Sequence, residues 1–370
     1  MASTVEFIPV RTLSSQFYSG KPLLSDIDLS PLTELVRRVA GDASWKAEPM
    51  PGGASTRKFY RVRLRDPEKT AVAFFVPDVT RSDEIDKTDG ERHRWPFVEV
   101  QELLSMRGVK VPTILADGSH EGWLLVEDLG DDTLAAYLTR EPHQKESIYR
   151  MAVEDLARAQ RVLSDLPEES VVLRRAFDED LLEWEIQHFR EWALEARGIT
   201  LAGPDRALFD GIAQRLARRI ASWPRGFVHR DYQSRNLMVR ARGGEPELVW
   251  IDFQDALLGP RVYDLVALLN DSYQTFDRPF VEARLDDFAR GLGLSTEGRA
   301  ELAHEFDLVT VQRKLKDAGR FLYLDRVKQN ASFLRFVEPT IAKARASLAR
   351  LSSDEDMRAL DGLLGRVLSS

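Results

Sequence analysis

Three polar residues in the stretches HRDYQSRN (229–236) and LVWIDFQD (248–255) carry the chemistry this sequence offers: Asp231, Asn236 and Asp252. Asp231 is followed by four residues and then Asn236, and Asp252 comes sixteen residues later at the end of an apolar run. One carboxylate to accept a hydroxyl proton, plus oxygen ligands for a hard cation, is what phosphoryl transfer needs, because Mg2+ prefers oxygen and neutralises charge on the β- and γ-phosphates. Asp231 suits the first role; Asn236 and Asp252 suit the second, as metal ligands. Taken singly, Asp and Asn are ordinary turn and helix-cap residues. Only the joint pattern points to chemistry.

The elements that must position these residues change character near residue 130. Before it, KFYRVRL (58–64), AVAFFV (71–76) and GWLLVEDL (122–129) are aromatic and β-branched, with Asp66-Pro67 and Asp117-Gly118 as turns, which predicts strands. FVEVQELLSMRG (97–108) predicts a helix ending at Gly108. After residue 130 the pattern is mainly helical: in DEDLLEWEIQHFREWALEA, Leu182, Ile186, Phe189 and Ala193 recur at helical spacing. The exception is 226–255, where FVHRD, LMVR and LVWIDF read as short strands, the last two joined by a Gly243-Gly244 turn. The expected fold class is α+β, with a β-rich N-lobe and a mainly helical C-lobe.

Composition narrows the function. A chain of 370 residues, 43% hydrophobic, is long enough for two lobes or domains. With no cysteine, thiol nucleophiles, disulfides and Cys-ligated zinc are excluded. A net charge of −8 argues against a nucleic-acid partner that binds chiefly through phosphate contacts. The first residues lack the basic and apolar regions of a secretory signal, and no uncharged run approaches about 18 residues, so the expectation is a cytoplasmic protein with no membrane partner.

The spacing from Asp231 to Asn236 matches the protein kinase catalytic loop, H-R-D, four residues, N, and Asp252 falls where that template puts the Mg2+ acid. VHRDYQSRNLM, VWIDFQDALLGPRVYDLVALL and VQRKLKDAGRF together resemble the aminoglycoside phosphotransferase and choline kinase superfamily. Within it the chain is most similar to the bacterial anomeric sugar kinases acting on N-acetylmuramate and N-acetylglucosamine, over roughly residues 45 to 330. The resemblance implies a two-lobed protein-kinase-like fold with ATP and Mg2+ between the lobes. It divides the chain into an N-terminal extension (1–30), an N-lobe with a nucleotide-covering loop and hinge (31–129), and a C-lobe with the catalytic and metal loops (130–370).

In MPGGASTRKFYRV, Gly52, Gly53, Ser55 and Thr56 form a loop whose backbone N–H groups suit phosphates, although a plain hairpin loop reads the same way. LLVEDLG resembles the interlobe hinge, which places the backbone of Glu127 and Leu129 at the adenine edge. Glu99 resembles the helix-C acid or lies on a solvated face. The lysine that protein kinases carry in the third strand is missing from AVAFFVPD. Arg57, Lys58 and Arg61 are the nearby candidates to meet the phosphates in its place, with plain exposed strand charges as the alternative.

Between Asp252 and GPRVYDLVALL there is no room for a long activation segment, which favours a small-molecule acceptor over a protein. Arg235 and Asp255 lie beside the catalytic and metal acids and match the sugar-kinase pattern, which makes them candidate substrate residues. Asp264 either ties the catalytic loop or simply starts a helix. Asp180, Glu183, Gln187 and Glu191 share a helix face, suited to a sugar or aminocyclitol substrate or merely solvated. His188 is a packed or an acceptor residue, and Arg313, Lys314 and Lys316 either meet an anionic acceptor or form a solvated basic helix. The expectation is a kinase forming the 1-phosphate of an amino sugar. An aminoglycoside, choline or other hydroxyl-compound kinase is the rival of the same class, and a nucleotide-binding pseudokinase the rival of another. The sequence assigns no oligomeric state.

Overall fold

A computed structural model describes residues 28–42, 44–50, 57–64, 69–76, 94–201 and 203–368. The aromatic and β-branched runs become β1 (Trp45–Pro49), β2 (Lys58–Leu64), β3 (Thr70–Phe75), β4 (Ile114–Gly118) and β5 (Trp123–Glu127). They form one antiparallel sheet in the order β1-β2-β3-β5-β4. Successive strand side chains point to opposite faces, and both faces are covered. Ala71, Ala73, Trp123 and Leu125 pack under α1 (Ser30–Ala40) with its Leu32, Leu35 and Val36. Their neighbours Phe74, Leu124 and Val126 pack on the other side against Val98 of α2 (Pro96–Met106). AVAFFV is therefore apolar throughout, and no position of β3 presents a cation. The turn expected at Asp66-Pro67 lies outside the described residues.

After β5 the chain turns helical: α3 (Leu134–Arg140), α4 (Lys145–Val162), α5 (Glu179–His188) and α6 (Gly203–Ala221). A strand pair and a hairpin interrupt them. β6 (Arg225–Val228) pairs with β9 (Leu257–Pro260), and β7 (Leu237–Arg242) with β8 (Glu245–Trp250). The hairpin turns at Gly243 and Gly244, whose φ values of 64° and 92° are those a two-residue hairpin of this kind needs. Then follow α7 (Tyr263–Leu269), α8 (Arg278–Leu292), α9 (Thr296–Arg326), α10 (Val337–Arg350) and α11 (Glu355–Leu368). The 31-residue α9 runs through the centre, buried from Leu302 to Leu324 on nearly every side. No helix among the described residues is long and apolar enough to cross a membrane.

Leu182, Ile186, Phe189 and Ala193 are all buried, as their spacing predicts. The helix widens to π geometry over Phe189–Leu194, where it meets α9. The contact is close because Gly319 has no side chain: a Cβ there would lie 2.3 Å from the carbonyl oxygen of His188. Backbone cannot give way as a side-chain tip can. Gly319→Ala is expected to cost roughly 1–3 kcal/mol or more of stability, as overpacking does, read as a lower midpoint in thermal unfolding. An unchanged midpoint would show that the two backbones do not approach this closely.

Candidate active site

The loop from His229 to Asn236 leaves β6, turns and enters β7, and its own polar backbone is pinned from several elements. Asp264, in the first turn of α7 and fully buried, accepts hydrogen bonds from the amides of His229 at 2.6 Å and Arg230 at 2.9 Å. It ties the catalytic loop rather than merely starting a helix. Arg313 of α9 donates to the Arg230 carbonyl at 2.8 Å and to Oδ1 of Asp231 at 3.2 Å. With both its amide and its carbonyl held, Arg230 sits at φ 77°, which a non-glycine residue adopts only when its surroundings enforce it. Its guanidinium reaches Glu185, buried on α5, at 3.7 Å. Further on, Asp271 accepts from the amide and hydroxyl of Ser234.

Asn236 donates its side-chain amide to the Asp231 carbonyl at 2.9 Å, which leaves its Oδ1 as the atom able to meet a cation. Its own carbonyl accepts from Ile251 at 3.0 Å, joining the catalytic loop to the segment that carries Asp252. Asp252 ends that segment at φ 63°, a left-handed conformation that Asp tolerates better than most residues. Gln254 donates to both Asp252 (2.9 Å) and Asp255 (3.2 Å). From the N-lobe, Arg57 faces the same two carboxylates at 3.7 and 3.8 Å. Asp231 and Asp252 are 39% and 47% exposed at their side chains, so both are open to a ligand.

The two acids differ electrically. Burial works to raise the Asp231 carboxyl, but Arg313, Lys316 and Arg230 outweigh it and hold it below its ordinary value. Asp252 shifts the other way, raised by burial and by the negative charge of Asp231. Asp231 is thus ionised and ready to accept, while Asp252 gains most from a cation beside it. His229, fully buried against Tyr232 and Trp250, is pushed down to about 4 by loss of solvent and stays neutral at pH 7. It packs edge-on against both rings.

Gly52, Gly53, Ser55 and Thr56 lie outside the described residues. Glu127 donates its backbone amide to the Thr113 carbonyl at 2.8 Å, and its carboxylate accepts from Arg240 at 2.7 Å, bracing β5 against the hairpin. Leu129 follows in the half-buried connection between the lobes. Arg235 is exposed, its guanidinium stacked 3.6 Å over the ring of Tyr273 and 5.9 Å from Phe336. Asp255 stands beside Asp252 under Gln254, as above.

Several expectations give way to other arrangements. Arg61 is fully engaged with Asp128 and Asp131 at 2.8–3.2 Å, bracing the interlobe connection. Glu99 accepts from the Val171 amide at 2.5 Å and lies 3.9 Å from Arg174, so it holds α2 to the C-lobe instead of facing solvent or a lysine. On α5, Gln187 bonds Asp210 and Arg190, and Asp180 is exposed. The acid of that helix that faces the catalytic loop is Glu185, off the predicted face. His188 is packed edge-on against Trp184. Arg313 and Lys314 are buried and paired with Asp231 and Asp317, neither solvated nor open to an acceptor. The helix is buried on nearly every side from 306 to 322 although its residues there are of mixed polarity, so its burial, and not its sequence, marks these cations as structural partners of the loop.

Comparison with known proteins agrees with this geometry. The family model described as "Phosphotransferase enzyme family" matches residues 46–303. An N-acetylmuramate/N-acetylglucosamine kinase of Pseudomonas aeruginosa is 35% identical over 69% of this chain and 75% of its own length. One of Neisseria meningitidis is 30% identical over 71% and 81%. Among solved structures, the choline kinase of Cryptosporidium parvum superposes with a TM-score of 0.57 at 12% identity, covering 90% of this chain and 99% of that one. The GDP complex of wild-type aminoglycoside 2'-phosphotransferase-IIIa gives 0.57 at 16%, covering 84% and 97%. These two establish the two-lobed kinase-like fold. With the pinned catalytic loop, that fold and a family match over most of its length, the chain belongs to the phosphotransferase enzyme family and is a phosphotransferase acting on a hydroxyl group.

Proposed function

We propose that this protein is a cytoplasmic, ATP- and Mg2+-dependent kinase that phosphorylates the anomeric hydroxyl of N-acetylmuramate or N-acetylglucosamine. The short run from Asp252 to α7 carries the small-molecule part of this reading: β9 and the two turns that flank it fill it, leaving no peptide platform. Similarity to the Pseudomonas and Neisseria amino sugar kinases supports the acceptor. Asp231, ionised and braced by Arg313, takes or orients the proton of the attacking hydroxyl. Asn236 and Asp252 hold the metal, which when bound neutralises charge on the phosphates. Among the described residues no three His, Asp or Glu side chains gather into a metal cage. Mg2+ ordinarily takes one or two protein oxygens and completes its shell with phosphates and water, and Asn236 and Asp252 would offer two. Arg235, set by its stack on Tyr273, and Asp255 contact the sugar. Positioning and charge neutralisation, rather than a covalent intermediate, lower the barrier.

The position phosphorylated is the sharpest test. A sugar 1-phosphate cannot ring-open and loses its reducing-end reactivity, whereas a 6-phosphate keeps it. Incubation with ATP and either sugar is expected to consume reducing ends in step with ATP and to give an anomeric phosphate signal in phosphorus NMR. Phosphate on the 6-hydroxyl, or turnover only with aminoglycosides or choline, would sink the sugar 1-kinase assignment.

A further inference from the structure

Protein kinases meet the α- and β-phosphates with a lysine in the third strand; here β3 is apolar on both faces and supplies no such charge. The site nevertheless needs a cation from the N-lobe, because its floor is acidic: Asp231, Asp252 and Asp255. Of the nearby cations, Arg61 is locked between Asp128 and Asp131 by four contacts. Arg57, just before β2, reaches across to the acidic floor. Its NH1 lies 3.7 Å from Oδ1 of Asp252 and its NH2 3.8 Å from Oδ2 of Asp255. Its side chain is only 23% exposed, so it is directed into the cleft. Both distances exceed hydrogen-bond length, so the contacts with these two carboxylates are ion pairs without a hydrogen bond. A guanidinium fork matches phosphate oxygens in bidentate fashion, so Arg57 would suit a phosphate brought up beside Asp252.

We propose that Arg57 does the work of the absent third-strand lysine. In the nucleotide-free protein it neutralises Asp252 and Asp255; when the metal–nucleotide enters, it yields the carboxylates to the metal cation and turns its guanidinium to the phosphates. This rests on the kinase reading above and names the group that binds the phosphates. Arg57 thus serves two states with one charge, and the two make opposite demands on a substitution.

Calorimetric titration of the wild type, Arg57→Gln and Arg57→Lys with MgATP and with adenosine, alongside Mn2+ alone followed by electron paramagnetic resonance, separates them. Arg57→Gln is expected to weaken MgATP binding about 10- to 100-fold, the worth of charge-assisted hydrogen bonds, while adenosine affinity stays within about twofold. Affinity for Mn2+ alone rises several-fold in the same variant, because the carboxylates lose their competing cation, and Arg57→Lys falls between. MgATP binding within twofold of wild type in Arg57→Gln overturns the proposal. So does a loss of Mn2+ and adenosine affinity together with that of MgATP, the mark of a merely structural residue. If Arg57→Gln fails to fold, the charge-conserving Arg57→Lys carries the same comparison. A wild type that does not bind MgATP at all removes the kinase reading itself, a different result from an Arg57 variant that binds like the wild type.

Discussion

Asp231→Asn is expected to lower kcat by roughly 10² or more while nucleotide affinity changes little, the signature of losing a general base rather than a binding group. The substitution keeps size and shape, and the Arg230 carbonyl still receives Arg313 at 2.8 Å, so the loop has its other supports. What goes is the ionised oxygen that Arg313, Lys316 and Arg230 hold below its ordinary value. Because that carboxyl is depressed, its protonation and the matching acid limb of the kcat profile are expected below the ordinary range of an Asp. Turnover near wild type on the best acceptor, with nucleotide binding intact by calorimetry, would falsify the role.

Asp252→Ala is expected to abolish Mg2+-dependent nucleotide binding, measured as calorimetric heats with and without the metal. The wild-type carboxyl is raised by burial and by the charge of Asp231, so a cation beside it relieves both effects at once. Removing it would leave the proposed ligand Asn236 without its partner carboxylate, and a poorly neutralised triphosphate. Because residue 252 has φ 63°, Ala there also adds backbone strain on the order of 1 kcal/mol. Asp252→Asn is the control, since Asn tolerates the left-handed conformation while removing the charge. An unchanged metal dependence in both variants would contradict the metal role.

The pair of loops that brings Asp231, Asn236 and Asp252 together, the proposed catalytic and metal residues, is legible in the sequence because their spacing within two adjacent segments is a local property. The lobes are legible for the same reason: strand and helix periodicity is written over windows of a few residues. What is not legible is pairing across the fold. Arg313 is 82 residues from Asp231, and nothing in VQRKLKD distinguishes a brace from a solvated helix without knowing that α9 is buried. Glu185 is passed over because the polar residues of α5 that share a face are the ones turned to α6 and solvent. Glu99 and Arg61 look like site charges because strand and helix positions suggest it. In the folded protein each holds one element to the next.

The distance along the chain from Asp231 to Arg313 also sets an order of assembly. Synthesis at roughly 5–20 residues per second puts about 4–16 s between the appearance of the catalytic carboxylate and that of its cation. During that interval the nascent polypeptide displays HRDYQSRN and LVWIDF in full, yet the loop around Asp231 lacks the guanidinium that fixes the Arg230 carbonyl. Competence arrives only once α9 has left the ribosome and packed, so the motifs precede the enzyme by most of a helical lobe.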